Sequence, residues 1–183
     1  IHFNDEELKL LADTGTGVAH CPVSNMKLAS GVCRVPEMLE LGVPVGLAVD
    51  GSASNDGSNL MAEIRTAYLL HRLHSSEKAP TGYDLLKMAT KGSAAVLGRT
   101  DIGSLEAGKA ADLFLLDVDL LELAGAKKDP ACLLGTVGYG RPAKLVMVNG
   151  RVVAEDGRLL GVDEEEVRDR AWELADALLE KAR

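Results

Sequence analysis

The sequence predicts an α/β fold in which alternating strands and helices are followed by an antiparallel β module and a closing helix. A near-continuous apolar run at residues 44–49, bounded by glycine and aspartate, is typical of a strand buried in a parallel sheet. Past residue 98, short apolar strands are separated by turn dipeptides such as Asn149-Gly150, which is typical of hairpins. We therefore expect three parts, at residues 1–98, 99–162 and 163–183.

The first part begins with a helix that Asn4 can cap, because Glu7 follows three residues later and completes a capping box. The elements after it alternate, as expected for successive βα units. In chain order we predict a strand at 18–20, a polar loop at 21–35, a helix at 36–41, a strand at 44–49, a turn-rich loop at 51–59, and helices at 60–73, from 81 or 84 to 88, and at 93–97.

The second and third parts have different sequence patterns from the first. Asn149 and Gly150 favour a two-residue hairpin turn between two of the predicted strands. Residues 163–182 have apolar residues at helical spacing with charges between them, which predicts an amphipathic helix. The predicted strands lie at 112–116, 144–148 and 152–153, and the apolar face of the helix consists of Val167, Ala171, Leu174 and Leu178.

Composition excludes several classes of partner. The formal net charge of -8 argues against binding to a nucleic-acid backbone or an anionic membrane surface. No apolar run reaches the roughly 20 residues of a membrane-spanning helix, and no basic-then-apolar leader is seen. Cys21, Cys33 and Cys132 are odd in number and are expected to be free thiols of a reducing compartment, which predicts a cytoplasmic protein.

Two polar residues occupy the carboxyl ends of consecutive predicted strands, His20 after the first and Asp50 after the second. In α/β barrels this edge carries the catalytic groups. Asp50 could bind a metal and move a proton of water, or it could only cap the following turn through its own side chain. His20 could be a functional group or a structural histidine, and Asn25 and Ser52 lie in loops that could line a pocket.

Histidines elsewhere give weaker signals. His2 resembles His20 in context but has no upstream sequence to support it. His71 and His74 fall near the end of a predicted helix, where a histidine commonly complements the helix dipole. We therefore expect neither of these two to belong to the site.

Three segments resemble the amidohydrolase superfamily, in the branch of cytosine and guanine deaminases and chlorohydrolases. They read VAHCPVSNMKLASG at residues 18–31, VGLAVDGSASND at 45–56 and IGSLEAGKAADL at 102–113. The opening residues IHFND, with residues 31–34 and 50–56, are most similar to the 8-oxoguanine deaminases within that branch.

The resemblance implies the C-terminal part of a (β/α)8 TIM barrel, followed by part of a small β-sandwich domain and a C-terminal helix. It also implies one divalent metal ion, zinc or else iron. Asp50 matches the family aspartate that ligates the metal and takes the proton of the attacking water, while His20 matches a position that supports the site. Asn25 and Ser52 are expected either to bind the substrate or to support the groups that do. The histidine pair of the family's first strand and the histidine of its fifth have no counterpart in this sequence.

The implied activity is hydrolytic deamination of a purine-like ring, with 8-oxoguanine as the preferred substrate and ammonia as a product. An amino- or chlorohydrolase acting on triazines, including hydroxyatrazine, is the alternative within the same branch. A further alternative, of another class, is an inactive piece that serves as a binding or assembly module. The expected partners are a small nitrogen heterocycle and, for the whole protein, other copies of itself.

Overall fold

The computed structural model describes residues 1–182, and these form two compact units. The first unit comprises residues 1–109 and 118–140, and the second comprises residues 110–117 with the chain from Arg141 onward. This division differs from the predicted one, because residues 99–109 and the segment 118–140 belong to the first unit and not to the β module. The reason is packing: a short helix in this segment lies against two helices of the first unit.

The first unit is mixed α/β and has the predicted alternation. Its two strands pair in parallel, with His20 opposite Leu47, which is the pairing expected of consecutive βα units. In chain order its elements are α1 (Asp5–Thr14), β1 (Val18–His20), α2 (Pro22–Lys27), α3 (Val35–Glu40), β2 (Val45–Leu47), α4 (Leu60–Ser75), α5 (Gly82–Lys87), α6 (Ser93–Val96) and α7 (Leu133–Thr136), with 3-10 turns at Ser76–Lys78, Leu121–Leu123 and Ala126–Lys128 and a π-helix at Met88–Gly92.

Local sequence signals account for the start and end of α1. The Asn4 side chain accepts a hydrogen bond from the Glu7 amide at 2.9 Å, and the Glu7 carboxylate accepts one from the Asn4 amide at 2.8 Å. Gly15 ends the helix with φ +64°, a conformation that glycine adopts without strain. The predicted capping box is therefore confirmed.

One predicted loop is wrong in part, because residues 21–35 contain the helix α2. Proline, serine and asparagine in this segment are typical of loops. Pro22, however, occupies the first turn of α2, where its missing N–H costs nothing. Pattern alone could not distinguish this helix start from a turn.

The core of the first unit forms around β2. Gly92 of the π-helix lies so close to this strand that a β-carbon there would be 2.2 Å from the carbonyl oxygen of Val45. Next to it, the Ser93 hydroxyl donates a 3.0 Å hydrogen bond to the carbonyl of Leu47. The buried apolar side chains of this unit include Leu8, Val35, Met38, Ile64, Ala67, Leu85, Met88, Leu123 and Leu133.

The second unit is an antiparallel sheet in the order β3-β4-β5-β6, followed by a helix. Asn149 and Gly150 both have positive φ, 49° and 77°, which is the geometry predicted for the β4–β5 hairpin. Asp163 caps the closing helix by accepting from two backbone amides. The elements are β3 (Leu113–Leu115), β4 (Leu145–Val148), β5 (Arg151–Glu155), β6 (Arg158–Leu159) and α8 (Glu164–Lys181).

The second unit buries very little. Among its described residues none falls in the buried class, and the predicted apolar face of α8 is exposed along its length. Arg183, the last residue of the predicted helical part, lies outside the described residues. Of the helices within residues 1–182, none has the combination of length and apolar content that crossing a membrane requires.

Candidate functional site

Asp50 follows β2 and presents its carboxylate at the surface of the first unit. Its Oδ2 accepts a 2.6 Å hydrogen bond from the Ser24 hydroxyl, and its Oδ1 accepts one of 2.7 Å from the Gly51 amide. The Ser24 hydroxyl, then the Gly51 amide and Ser54, hold the pKa of this carboxyl below its usual range. Asp50 is therefore an exposed, ionised carboxylate at neutral pH, as a metal ligand or proton acceptor must be.

Both sequence interpretations of Asp50 find support in these contacts. The bond from Gly51 is a local turn contact of the kind that a capping aspartate makes. The bond from Ser24 spans 26 positions of sequence and brings α2 to the carboxylate. A side chain that only capped its own turn would not need the second contact.

His20 is buried rather than open to the site, with 2% of its surface exposed. Its Nε2 lies 3.2 Å from Nε2 of His71, 51 residues later on α4. Within the described structure the Nδ1 atoms of both rings are buried and without a hydrogen-bond partner. Burial, followed by the nearby His71, lowers the pKa of His20 to about 3, so the ring is neutral.

The predicted role of His71 is wrong. It was expected to complement the dipole at the end of a helix, but α4 continues to Ser75 and His71 is fully buried on its inner face. Burial is the main cause that lowers the pKa of His71 to about 4. A neutral ring cannot offer the charge that a helix carboxyl end attracts.

Asn25 and Ser52, the two expected substrate-side residues, are not the groups that contact Asp50. Asn25 is half-buried in α2 and Ser52 is exposed in the loop after β2. The hydroxyl that reaches Asp50 belongs to Ser24, the residue preceding Asn25. The substrate-side role of Asn25 and Ser52 stays a prediction.

The structure also contains a buried acidic residue near Asp50 that the sequence analysis does not identify. Glu63 of α4 is 1% exposed, and its two oxygens accept hydrogen bonds from the Val23 amide and the Asn55 side chain. Burial raises the pKa of this carboxyl, and the two hydrogen bonds oppose that rise. The signal was present, because Glu63 and His71 share the helical spacing of Ile64 and Ala67, which places them on the inner face of α4.

These residues alone do not fit a metal centre. Within residues 1–182 no three or more histidine, cysteine, aspartate or glutamate side chains come close enough together to hold a metal ion. Asp50 offers one suitable carboxylate, whereas a catalytic zinc has three protein ligands. A metal site that uses Asp50 would therefore need ligands that the described residues do not bring together around it.

Comparison with known proteins places these features in a family. The profile of the amidohydrolase family matches residues 1–153. The chain is 48% identical over 163 residues to an 8-oxoguanine deaminase of Pseudomonas aeruginosa, covering 89% of this chain and 36% of that protein. It is 45% identical over 168 residues to a hydroxydechloroatrazine ethylaminohydrolase of Pseudomonas sp., covering 90% of this chain and 35% of that protein.

Solved structures agree with the fold described above. An atrazine chlorohydrolase of Arthrobacter aurescens, crystallised with zinc, superposes with a TM-score of 0.89 at 38% identity, over 95% of this chain and 39% of that one. An adenosine deaminase of Xanthomonas campestris with bound zinc gives a TM-score of 0.91 at 31% identity, over 96% of this chain and 40% of that one. The chain thus spans little more than a third of the length of these proteins and is a partial domain of mixed α/β architecture.

Proposed function

The chain belongs to the amidohydrolase family, and on that premise we propose that the whole protein is a metal-dependent hydrolase that deaminates a nitrogen heterocycle. The observation that carries the proposal is Asp50, an ionised and exposed carboxylate at the carboxyl end of β2, held by Ser24. Relatives named as deaminases and aminohydrolases match this chain along about nine-tenths of its length. The predicted family is confirmed, while the reaction is our proposal.

In the proposed reaction, water replaces an amino group on a ring carbon. The water oxygen bonds to that carbon, and the bond from the carbon to the amino group breaks. One proton of the water leaves with the amino group as ammonia and the other ends on the neighbouring ring nitrogen, so that a lactam carbonyl remains. Asp50 accepts the proton of the attacking water and returns it toward the departing nitrogen. A carboxyl with a lowered pKa is unprotonated at neutral pH, which this first step requires.

The proposed cofactor is one divalent ion, zinc or else iron, with Asp50 as one of its ligands. Structures of relatives with zinc support the choice of metal. The remaining ligands would come from parts of the protein outside these 183 residues. His20 would support the wall of the site, and Asn25 and Ser52 would face the substrate.

The preferred substrate is 8-oxoguanine, supported by the 48% identity to the deaminase of that name. A triazine amine or chloride is the second candidate, because the ethylaminohydrolase is 45% identical over a similar length and the chlorohydrolase has the same fold. Both substrates are small planar nitrogen rings. We also propose a cytoplasmic location, because three cysteines without a pairing pattern are typical of a reducing compartment, and a homo-oligomeric whole protein, which the family resemblance implies.

The test uses the full-length protein, a measurement of bound metal, an ammonia-release assay with 8-oxoguanine, an ethylamine-release assay with hydroxyatrazine, and chloride release from atrazine. We expect about one metal per chain and turnover of 8-oxoguanine. Asp50→Asn should lower kcat by about 100- to 10,000-fold, while the matched control Asp156→Asn, in an exposed pair with Lys144 of the second unit, should keep activity.

Three outcomes would count against the proposal in different ways. Turnover of only a triazine would move the substrate to the second candidate. Full activity in Asp50→Asn would remove the role assigned to Asp50. No metal and no product with any of these rings would reject the hydrolase and favour the binding or assembly module instead.

A further inference from the structure

Glu63 lies behind Asp50 and contacts two segments that reach it. Its Oε2 accepts a 3.1 Å hydrogen bond from the Val23 amide in the first turn of α2. Its Oε1 accepts a 2.5 Å hydrogen bond from the side-chain amide of Asn55, in the loop after β2. Because both oxygens face N–H donors, the surroundings suit the ionised carboxylate, and a proton on either oxygen would break a contact.

Each of the two contacts continues to Asp50 by a short route. On the first route, Val23 is followed directly by Ser24, whose hydroxyl donates to Asp50 Oδ2 at 2.6 Å. On the second, the Asn55 amide that reaches Glu63 also donates, at 2.8 Å, to the carbonyl of Val49, the residue before Asp50. One buried side chain therefore holds both the hydroxyl partner of Asp50 and the backbone from which Asp50 projects.

The backbone of Asp50 explains why such support is needed. Asp50 has φ +67°, in the left-handed region, which aspartate adopts more readily than most residues but less freely than glycine. A residue stays in this region only when its surroundings over-determine its conformation. Lys27 of α2 makes two more contacts with the loop after β2. Its ammonium group donates to the Ala53 carbonyl and pairs with Asp56 at 2.6 Å.

We propose that Glu63 is a positioning residue, which fixes the direction of the Asp50 carboxylate through Ser24 on one route and through Asn55 and Val49 on the other. The proposal rests on the role of Asp50 in the proposed function, but its geometry can be tested without that function. Glu63 does not touch the substrate in this proposal. Its effect reaches the reaction only through Asp50.

The kinetic test compares Glu63→Gln with the wild type in the full-length protein. An amide presents one donor where the carboxylate presents two acceptors, so one of the two routes must break whichever way it is turned. We expect kcat to fall about 10- to 100-fold, as for groups that orient a metal-ligating side chain. KM should change by less than about 3-fold, because substrate contacts remain.

A second kinetic measurement separates positioning from general support of the fold. Ser24→Ala combined with Asn55→Ala cuts both routes and leaves Glu63 in place. In that background Glu63→Gln should lower kcat by no more than about 3-fold, because coupled residues are not additive. A full additional loss would overturn the proposal, since Glu63 would then act by some other path.

The matched control is Asp84→Asn, another carboxylate-to-amide change in the first unit. Asp84 accepts from the amide and hydroxyl of Thr81 at the start of α5, away from both routes. This variant should unfold at a lower denaturant concentration and keep the wild-type kcat. Equal loss of kcat in both variants would show that reduced stability alone explains the result for Glu63.

The geometric test holds even if the protein deaminates none of the rings. Crystal structures of the wild type and of Glu63→Gln, both in full length, should differ at Asp50. In the variant we expect the Ser24–Asp50 hydrogen bond of 2.6 Å to be lost or φ of Asp50 to leave the left-handed region. An unchanged Asp50 in the variant would reject the positioning role, whatever the wild-type activity proves to be. Should this variant not fold, Asn55→Ala gives the same test on the second route alone.

Discussion

The two units form their secondary structure from the same kinds of signal, but among residues 1–182 only the first unit has a buried core. Caps, turn dipeptides and apolar spacing are recognisable in both. In the first unit Leu85 is completely buried, whereas Leu178 on α8 of the second unit is 68% exposed. His20 and His71, whose pKa values are lowered by burial, also lie in the first unit. Burial, and not the type of secondary structure, is therefore what shifts the pKa values of these histidines.

The largest difference between the units should appear when a leucine is truncated in each. Leu85→Ala removes a buried side chain and should lower the free energy of unfolding by about 2–5 kcal/mol. Leu178→Ala removes an exposed one and should change it by less than about 0.5 kcal/mol. Urea unfolding of both variants in the full-length protein gives the comparison.

The result for Leu178→Ala tests whether the second unit is as exposed in the whole protein as it is in this chain. A loss as large as that of Leu85→Ala would mean that another part of the whole protein covers α8. The second unit would then have a core that these residues do not supply alone. A small loss would confirm that α8 is an exposed helix.

The histidine pair predicts a pH effect that only the first unit can produce. Both folded-state pKa values, about 3 for His20 and about 4 for His71, lie below the usual 6.5, so the unfolded chain binds protons that the folded one does not. Stability is therefore full above pH 6.5 and is lost as the pH falls toward these lower values. Between pH 6.5 and pH 5 each histidine should lower the free energy of unfolding by about 2 kcal/mol.

The check is urea unfolding at several pH values in the wild type, in His71→Gln and in His74→Gln. His71→Gln should flatten the dependence by about half, because one of the two buried rings is gone. His74, the exposed penultimate residue of α4, is the control and should leave the slope nearly unchanged. Equal slopes in all three proteins would show that the buried pair does not control acid stability.

The smallest effects should be the same in both units, because they are local. Asn4 caps α1 and Asp163 caps α8, each by accepting hydrogen bonds from amides of the first turn. Replacing either residue by alanine should cost about 1 kcal/mol. Hydrogen exchange of the first-turn amides should accelerate about fivefold in each helix. A much larger effect at Asn4 would show that this cap also supports tertiary packing.

Several parts of the fold were predictable because neighbours in sequence decide them. The capping box at Asn4 and the hairpin turn at Asn149 and Gly150 follow from contacts within a few residues. Local apolar spacing also predicts the strand that ends at His20 and the strand that precedes Asp50, whereas their parallel pairing joins segments far apart in sequence. The helix α2 was missed, because proline and serine have the same local meaning in a turn and in a first helical turn.

The sequence by itself thus determined most of the order of strands and helices, although not α2, α7 or β6, together with the family and the position of Asp50 shortly after a strand. Only the tertiary structure decided which polar groups meet there. Ser24 reaches Asp50 across 26 residues, Glu63 reaches Val23 across 40, and His20 meets His71 across 51. Such contacts leave no periodic trace, because their geometry depends on how whole elements pack, whereas caps and turns are formed by the residues next to them.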